Sequence, residues 1–416
     1  MTKTETPAEV AADLQDERLI RNEGLGGAVK SFGLRVRGGD LGSLPVVVGL
    51  IVIWAVFQIL NPNFLSANNL VNLTLQCAAV GTISIGIVLV LLLGQIDLSV
   101  GSVSGLAAAI MGVGLTQLHW PLIVAVIGAI LAGVLVGFLY GILFTRFGVP
   151  SFVITLAGLL GFLGLQLWVL GPNSSINIPF DSWIVQFAQQ TFLPPWAAYA
   201  LVVIAAVGMF LSDWRRSERR RKAGLSQGSM TVMLVKAVLL LLALGISVWY
   251  LSTDRGTGAM FLFFVILVVV MNFFLTRTRW GRSVFAVGGS VEAARRAGIK
   301  VNRVYISVFI LCSTFAAVGG LLAAARLASV SAGSGGTDTN LNAIAAAVIG
   351  GTSLFGGRGS AWSALLGILV IQSISSGLTL LNLDSSIRFM ITGAVLLLAV
   401  IIDSLSRRSR ASHGQA

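Results

Sequence analysis

The sequence predicts an all-α fold, a polytopic bundle of about twelve transmembrane helices with both termini on the cytoplasmic side. Three observations carry this. Hydrophobic residues make up 56% of the 416 residues and charged residues only 11%, whereas soluble domains are near a quarter charged. The chain divides into a dozen apolar stretches, most of them close to the roughly 20 residues an α-helix needs to cross the hydrocarbon core. Twenty-five of the twenty-eight Lys and Arg residues fall in alternate loops, the bias left by retention of basic residues in the cytoplasm. The net charge of +12 is therefore read as topology. Nucleic-acid binding is set aside, because the basic residues flank apolar spans.

The expected spans are 44–60, 74–94, 98–118, 121–144, 151–170, 195–211, 232–251, 258–275, 303–325, 340–352, 361–381 and 386–403. The stretch at 340–352 is short and Gly-rich, and reads as a half-helix or as part of a broken unit. Residues 1–43 form a mixed-charge cytoplasmic arm, 44–403 the transmembrane domain and 404–416 a cytoplasmic tail. The arm has no leading apolar core or cleavage site, so the first span is expected to do the targeting. Basic residues then collect inside, in the arm, at Arg146, in 212–236, in 276–303, at Arg358 and in the tail. Only Arg255, Arg326 and Arg388 fall outside.

Loop and span-end composition agrees with this map. Outside segments such as 61–69 and 171–183 are rich in Asn, Pro and Ser, which favour turns and solvated backbone. Trp120, Trp183, Trp196, Trp249, Tyr250 and Trp280 mark span ends, as in an interfacial belt. In the fourth span Ala125, Ala129, Gly133, Gly137 and Gly141 recur every four residues, and Gly101, Gly105 and Ala109 do so in the third. Small residues at this spacing make a flat face for close helix approach, within the bundle or at a subunit interface.

Some chemistry is missing from the sequence. Cys77 and Cys312 lie in apolar stretches, so no disulfide framework is expected. No His, Cys, Asp and Glu cluster suggests a metal, and no cofactor is expected. Intramembrane ionisable residues, which proton-coupled transporters use as relays, are nearly absent. The glycine-rich run 350–360 lacks the Lys-Ser/Thr of a phosphate-binding loop. If this chain takes part in a pump, ATP hydrolysis belongs to another chain and this one is not an enzyme.

Three segments stand apart from hydrophobic filler: GQIDLSVGS at 94–102, VPSFVITLAG at 149–158, and the cytoplasmic stretch 281–304 followed by LNAIAAAVIGGTSLFGGRGS at 341–360. Together, and in this order, they resemble the membrane subunits of bacterial ABC importers for monosaccharides, the ribose and xylose permease family. The pattern G-x-I-D-L-S-V-G-S is met by Gly94, Ile96, Asp97, Leu98, Ser99, Val100, Gly101 and Ser102. Ribose-type members look like ten-span proteins. The additional stretch around 180–255, about two spans and a basic loop, makes this chain more similar to the xylose-type permeases.

The resemblance implies a division of labour. An extracytoplasmic binding protein captures xylose or a related sugar. Two copies of the permease form the pathway in the bacterial plasma (inner) membrane, and two ATPase subunits dock on the cytoplasmic face. The alternative is a major-facilitator-like secondary transporter, which shares the span count. Such proteins usually carry a basic motif between spans two and three, where this chain has GQIDLS.

Several residues are then candidates for particular roles. The docking element is placed at 281–303. Gly288 and Gly289 give flexibility, Ser290 caps a short helix, Glu292 complements its dipole, Ala293 and Ala294 keep a low profile, and Gly298 ends it. The family motif and gate comprise Asp97, Ser99, Gly101, Ser102, Gly350, Gly351 and Thr352. Asp97 is expected near the cytoplasmic side, capping the third span or making a gate contact. Ser84, Ser102, Ser104, Thr155, Thr352 and Ser353 are candidates for lining the sugar path. Arg326 and Arg388 are candidate contacts for the binding protein.

Overall fold

The computed structural model describes residues 44–172, 174–225 and 229–384, together with 386, 387, 389–394, 397 and 401. The arm 1–43, the tail 404–416, Arg388 and much of the expected span 386–403 lie outside the described residues. Among the described residues the chain folds as two units, Leu193–Gly256 and the remainder.

The larger unit opens with α1 (Leu44–Leu60), α2 (Ala67–Leu92), α3 (Val100–Thr116), α4 (Leu122–Phe147) and α5 (Ser151–Leu170). A short strand β1 (Ser175–Asn177) and helix α6 (Trp183–Gln189) follow. The smaller unit is a pair of helices, α7 (Pro195–Lys222) and α8 (Met230–Leu251). The larger unit resumes with α9 (Ala259–Arg277), α10 (Arg279–Gly289), α11 (Val291–Arg296) and α12 (Val301–Leu327). It ends with β2 (Ser329–Ser331), α13 (Thr337–Ile349) and α14 (Trp362–Leu380). Eight of these helices are long and apolar enough to cross a membrane, and α1 and α3 are apolar but shorter.

Helix α12 is the axis of the larger unit. The expected small-residue face of α4 meets it inside the bundle: Gly141 abuts Ile306, Gly137 abuts Phe309 and Ile310, and Gly133 abuts Ser313 and Ala317. As numbers fall on α4 they rise on α12, so the two helices are antiparallel. Helix α2 also runs antiparallel to α12, with Gly86 on Cys312 and Gly319 on Ala79 and Ile83. Most of α2 is buried, so it crosses inside protein and is not lipid-facing. The register puts Arg146, the α10–α11 region and Arg358 at one end of the unit, here termed the basic end, and Arg326 at the other.

Two of the expected spans do not traverse the unit. The span expected at 98–118 is α3, which starts only after the non-helical segment 93–99 has turned back from the basic end into the core. The span expected at 340–352 is α13, 13 residues long, and it follows a second non-helical segment, 328–336, that descends from the opposite end. A half-helix or part of a broken unit was expected for the second but a full span for the first, because residues 98–118 are as apolar as some of the full crossings. Near the opposite end β1 and β2 pair antiparallel, Ser175 with Ser331 and Asn177 with Ser329, within loops expected to be irregular.

In the smaller unit α7 continues past the expected end at 211 into the basic run. Arg219, Arg220, Arg221 and Lys222 occupy its last turn, where cations favour the helix dipole. Ala198, Val202 and Ala206 are buried at a spacing of four, while Val203, Ile204 and Val207 are exposed, as on a lipid-facing helix. This unit corresponds closely to the additional stretch noted in the sequence at 180–255.

Candidate functional site

The two non-helical segments meet in the core. The Asn340 side-chain amide donates to the Leu98 carbonyl at 2.6 Å. Gly101 packs on Gly335 and Asn340, and Gly335 in turn lies on Gly101 and Ser104. Only glycine allows this approach, since a Cβ at either position would collide with backbone. Thus the N-terminal ends of α3 and α13 come together from opposite directions. Unwound backbone at such depth is tolerated only where protein or a cavity satisfies it, and paired broken helices of this kind build midplane binding sites in transporters.

Asp97 holds the first of these segments in place. Its Oδ1 accepts from the Ser99 N–H at 2.8 Å and the Ser99 hydroxyl at 2.7 Å. The Tyr140 hydroxyl donates to Ser99 Oγ at 2.8 Å, and Cys312 Sγ lies 3.6 Å from Asp97 Oδ2. The carboxylate thus caps the turn that leads into α3. It was expected near the cytoplasmic side. It instead sits beside Cys312, eleven residues into α12, or about 16 Å along that helix at ~1.5 Å per residue. That the chain turns back after Leu92 is set by long-range packing and was not legible from the residues alone.

Beyond this floor, toward the opposite end, lies a cavity of about 270 Å³. Ala79, Val80 and Ile83 of α2 and Ala323 and Ala324 of α12 supply apolar surface. Gln76, Ser104, Arg326, Asp338, Thr339 and Gln372 supply polar groups from five helices. Of the expected path-lining hydroxyls only Ser104 reaches it. Ser84 bonds the Val80 and Ala343 carbonyls, Ser102 the Leu159 carbonyl and Thr155 the Ser151 carbonyl, all as helix-packing contacts. Thr352 and Ser353 are buried in the loop after α13, where Ser353 Oγ accepts from the Phe355 N–H. Arg326, expected as a binding-protein contact, is on the cavity wall. Sequence reading missed Gln76, Gln372, Asp338 and Thr339. An amide inside an otherwise apolar span was the available signal for the two glutamines.

At the basic end the expected short helix is α11. Ser290 caps it by accepting from the Ala293 N–H at 3.3 Å, Glu292 is in its first turn, and Gly298 follows with φ +80°. Ala294 is buried, while Glu292, Ala293, Arg295 and Arg296 are exposed. Helix α10, not foreseen, lies before it with Val284 and Val287 buried, and Trp280 Nε1 donates to Ser307 Oγ on α12 at 2.9 Å.

Gly288, at the end of α10, is pressed against the Leu92 carbonyl and Gly357 N, and Gly356 packs on Gly288 and Gly94. The Gly357 N–H donates to the Leu92 carbonyl at 2.9 Å. Gly350 is similarly pressed on the Ser363 backbone, and Gly351 takes φ +100°. The run 350–360 is therefore a packed junction, not a loose turn. Gly289, its neighbour, meets nothing within 4 Å.

Broken helices, a polar cavity in the core and an exposed capped helix at one end define a multi-pass membrane transport protein. The chain belongs to the family described as branched-chain amino acid transport system / permease component, which matches residues 69–400. It is 34% identical over 346 residues to the xylose transport system permease protein XylH of Escherichia coli K12, covering 83% of this chain and 87% of the relative. It is 32% identical to XylH of Haemophilus influenzae, covering 87% and 96%. It is also 32% identical to the ribose import permease protein RbsC of Bacillus subtilis, covering 88% and 94%. No solved structure matches the chain. These relatives carry the names of sugar permeases, and the chain is a multi-pass inner-membrane permease of this family, so the major-facilitator alternative falls away.

Proposed function

We propose that this chain is the membrane subunit of an ATP-driven importer for xylose or a related monosaccharide. Two copies form the pathway within the lipid bilayer, with both termini cytoplasmic. ATP-binding cassette ATPase subunits dock on α10 and α11, and an extracytoplasmic sugar-binding protein delivers sugar to the opposite end. Arg326 and Arg388 are candidate contacts there. Hydrolysis takes place on the partner chains.

The observation that carries this reading is the junction at Gly288. It joins the exposed docking helix to Leu92–Gly94, where the first floor segment begins, and to Gly356–Gly357, in the loop leaving α13. A push on α11 therefore reaches both halves of the cavity floor through backbone contacts that cannot be compressed. Shifting Asn340 away from Leu98 would open the floor toward the basic end, giving alternating access. The relatives' names, xylose and ribose, support the substrate class.

The test is reconstitution of the permease with its ATPase and binding protein. The expected result is ATP-dependent pentose uptake, lost when the ATPase active site is inactivated. Uptake that survives inactivation, but collapses with a proton uncoupler at unchanged ATP, would overturn the proposal.

A further inference from the structure

Resting on the importer reading, we propose that the cavity between α2, α12 and α14 is a selective transit site, in which Gln76, Gln372, Asp338 and Arg326 read the hydroxyl pattern of an uncharged monosaccharide. The membrane subunit then adds its own discrimination to that of the binding protein.

The chemistry of the lining points to this ligand class. Gln76 and Gln372 are half-buried on α2 and α14, two helices long and apolar enough to cross a membrane. The Gln372 amide is within 3.5 Å of the Gln76 backbone carbonyl, so the two side chains share one region of the wall. Among the described residues Gln76 makes no side-chain hydrogen bond and Arg326 no ion pair, although both are half-buried, while Asp338, also without an ion-pair partner, is exposed. Polar groups in the core of a bundle normally have partners, and here a ligand hydroxyl can supply them. A carboxylate only accepts, a guanidinium only donates and an amide does both. A sugar hydroxyl does both as well, so vicinal hydroxyls can engage all three groups.

Charge and size narrow the ligand further. One cation and one anion line the same cavity, so it has no net formal charge to favour a sugar phosphate or a sugar acid. An anion drawn to Arg326 would also meet Asp338. The volume of about 270 Å³ falls just below the ~300–1,000 Å³ of ordinary small-molecule sites, which suits one sugar ring and excludes a disaccharide. The alanine, valine and isoleucine surface faces the C–H side of such a ring. Among the described residues no aromatic side chain lines the cavity, so the hold is weak enough for passage.

The experiment uses the intact importer in proteoliposomes and compares two sugars that the same binding protein captures, xylose and ribose for example, each at a saturating level. For Gln76→Leu and Gln372→Leu the ratio of the two uptake rates is expected to change about fivefold, the effect of one neutral hydrogen bond. The yield and size-exclusion profile of each variant report whether it folds. If a leucine variant fails to accumulate, Gln76→Asn and Gln372→Asn, which keep the amide but shorten its reach, are expected to shift the same ratio. Uptake of both sugars reduced by one common factor, or a ratio unmoved in every variant, overturns the selectivity proposal. Absence of ATP-dependent uptake by the unaltered importer overturns instead the reading on which it rests.

Discussion

Asn340 and Leu98 lie 242 positions apart in the chain, yet the amide of one donates to the carbonyl of the other at 2.6 Å. This bond ties the half-helix that enters from one end to the segment that enters from the other. Replacing Asn340 with Leu leaves a partly buried carbonyl without this donor, at a cost of about 1–3 kcal/mol. The expected outcome is a floor that opens without its trigger. ATP hydrolysis by the reconstituted importer should lose most of its dependence on loaded binding protein, and the detergent-solubilised protein should melt at lower temperature. Unaltered stimulation would remove Asn340 from the gate.

Adjacent glycines provide an internal control for the docking junction. A Cβ at Gly288 would strike the Leu92 carbonyl, whereas one at Gly289 meets nothing within 4 Å. Gly288→Ala should therefore abolish sugar-stimulated ATP hydrolysis while the subunit still inserts, and Gly289→Ala should retain at least half of it. A bulky residue at the exposed Ala293 should match the first result by blocking the partner surface. Equal activities of the two glycine variants would refute the junction.

Asp97 is held by hydrogen bonds to Ser99, and an asparagine oxygen can accept the same bonds. Asp97→Asn should keep uptake within about twofold, with a modest fall in folded protein. Asp97→Ala, which loses the turn, should cost about 1–3 kcal/mol in stability. Uptake assays and thermal melting in detergent separate these outcomes. Loss of transport at normal melting temperature in Asp97→Asn would assign the carboxylate a role in the pathway.

The small-residue face of α4 makes a packing prediction. Gly137 abuts the backbone of Phe309 and Ile310, while Gly161 on α5 meets nothing within 4 Å. Gly137→Leu should overpack the bundle by 1–3 kcal/mol or more and lower the yield of folded protein. Gly161→Leu should leave the yield unchanged. Fluorescence-detected size exclusion of the two variants is sufficient to compare them.

Topology can be tested with thiol chemistry, because both native cysteines, Cys77 and Cys312, are buried. In intact cells a membrane-impermeant maleimide should label Asp254→Cys and fail to label Glu292→Cys. The reverse pattern would invert the assigned orientation.

Hydrophobic length and the distribution of basic residues made most of the helices legible in the sequence, including the start and end of α5 within a residue. The short helix α11 was equally readable, because Ser290, Glu292 and Gly298 are local capping signals. What was not legible depended on long-range contact. The sequence of α3 is as apolar as that of a full crossing, and only its packing against Gly335 and Asn340 shows that it starts midway. Asp97 was misplaced for the same reason. Most of the hydroxyls chosen as path candidates bond backbone carbonyls of their own or a neighbouring helix, as serine and threonine in helices commonly do. The glutamines that do reach the cavity were passed over because they carry no charge and belong to no motif.

The opposed approach of the two floor segments bears on how the membrane stays sealed. Each leads into a helix that packs against full-length helices of its own unit, α3 on α12 and α13 on α2. In the proposed mechanism the floor parts while the surrounding helices stay in place, so the bilayer need not register the transport step. Such a pore would work like an iris, its blades moving inside a fixed rim.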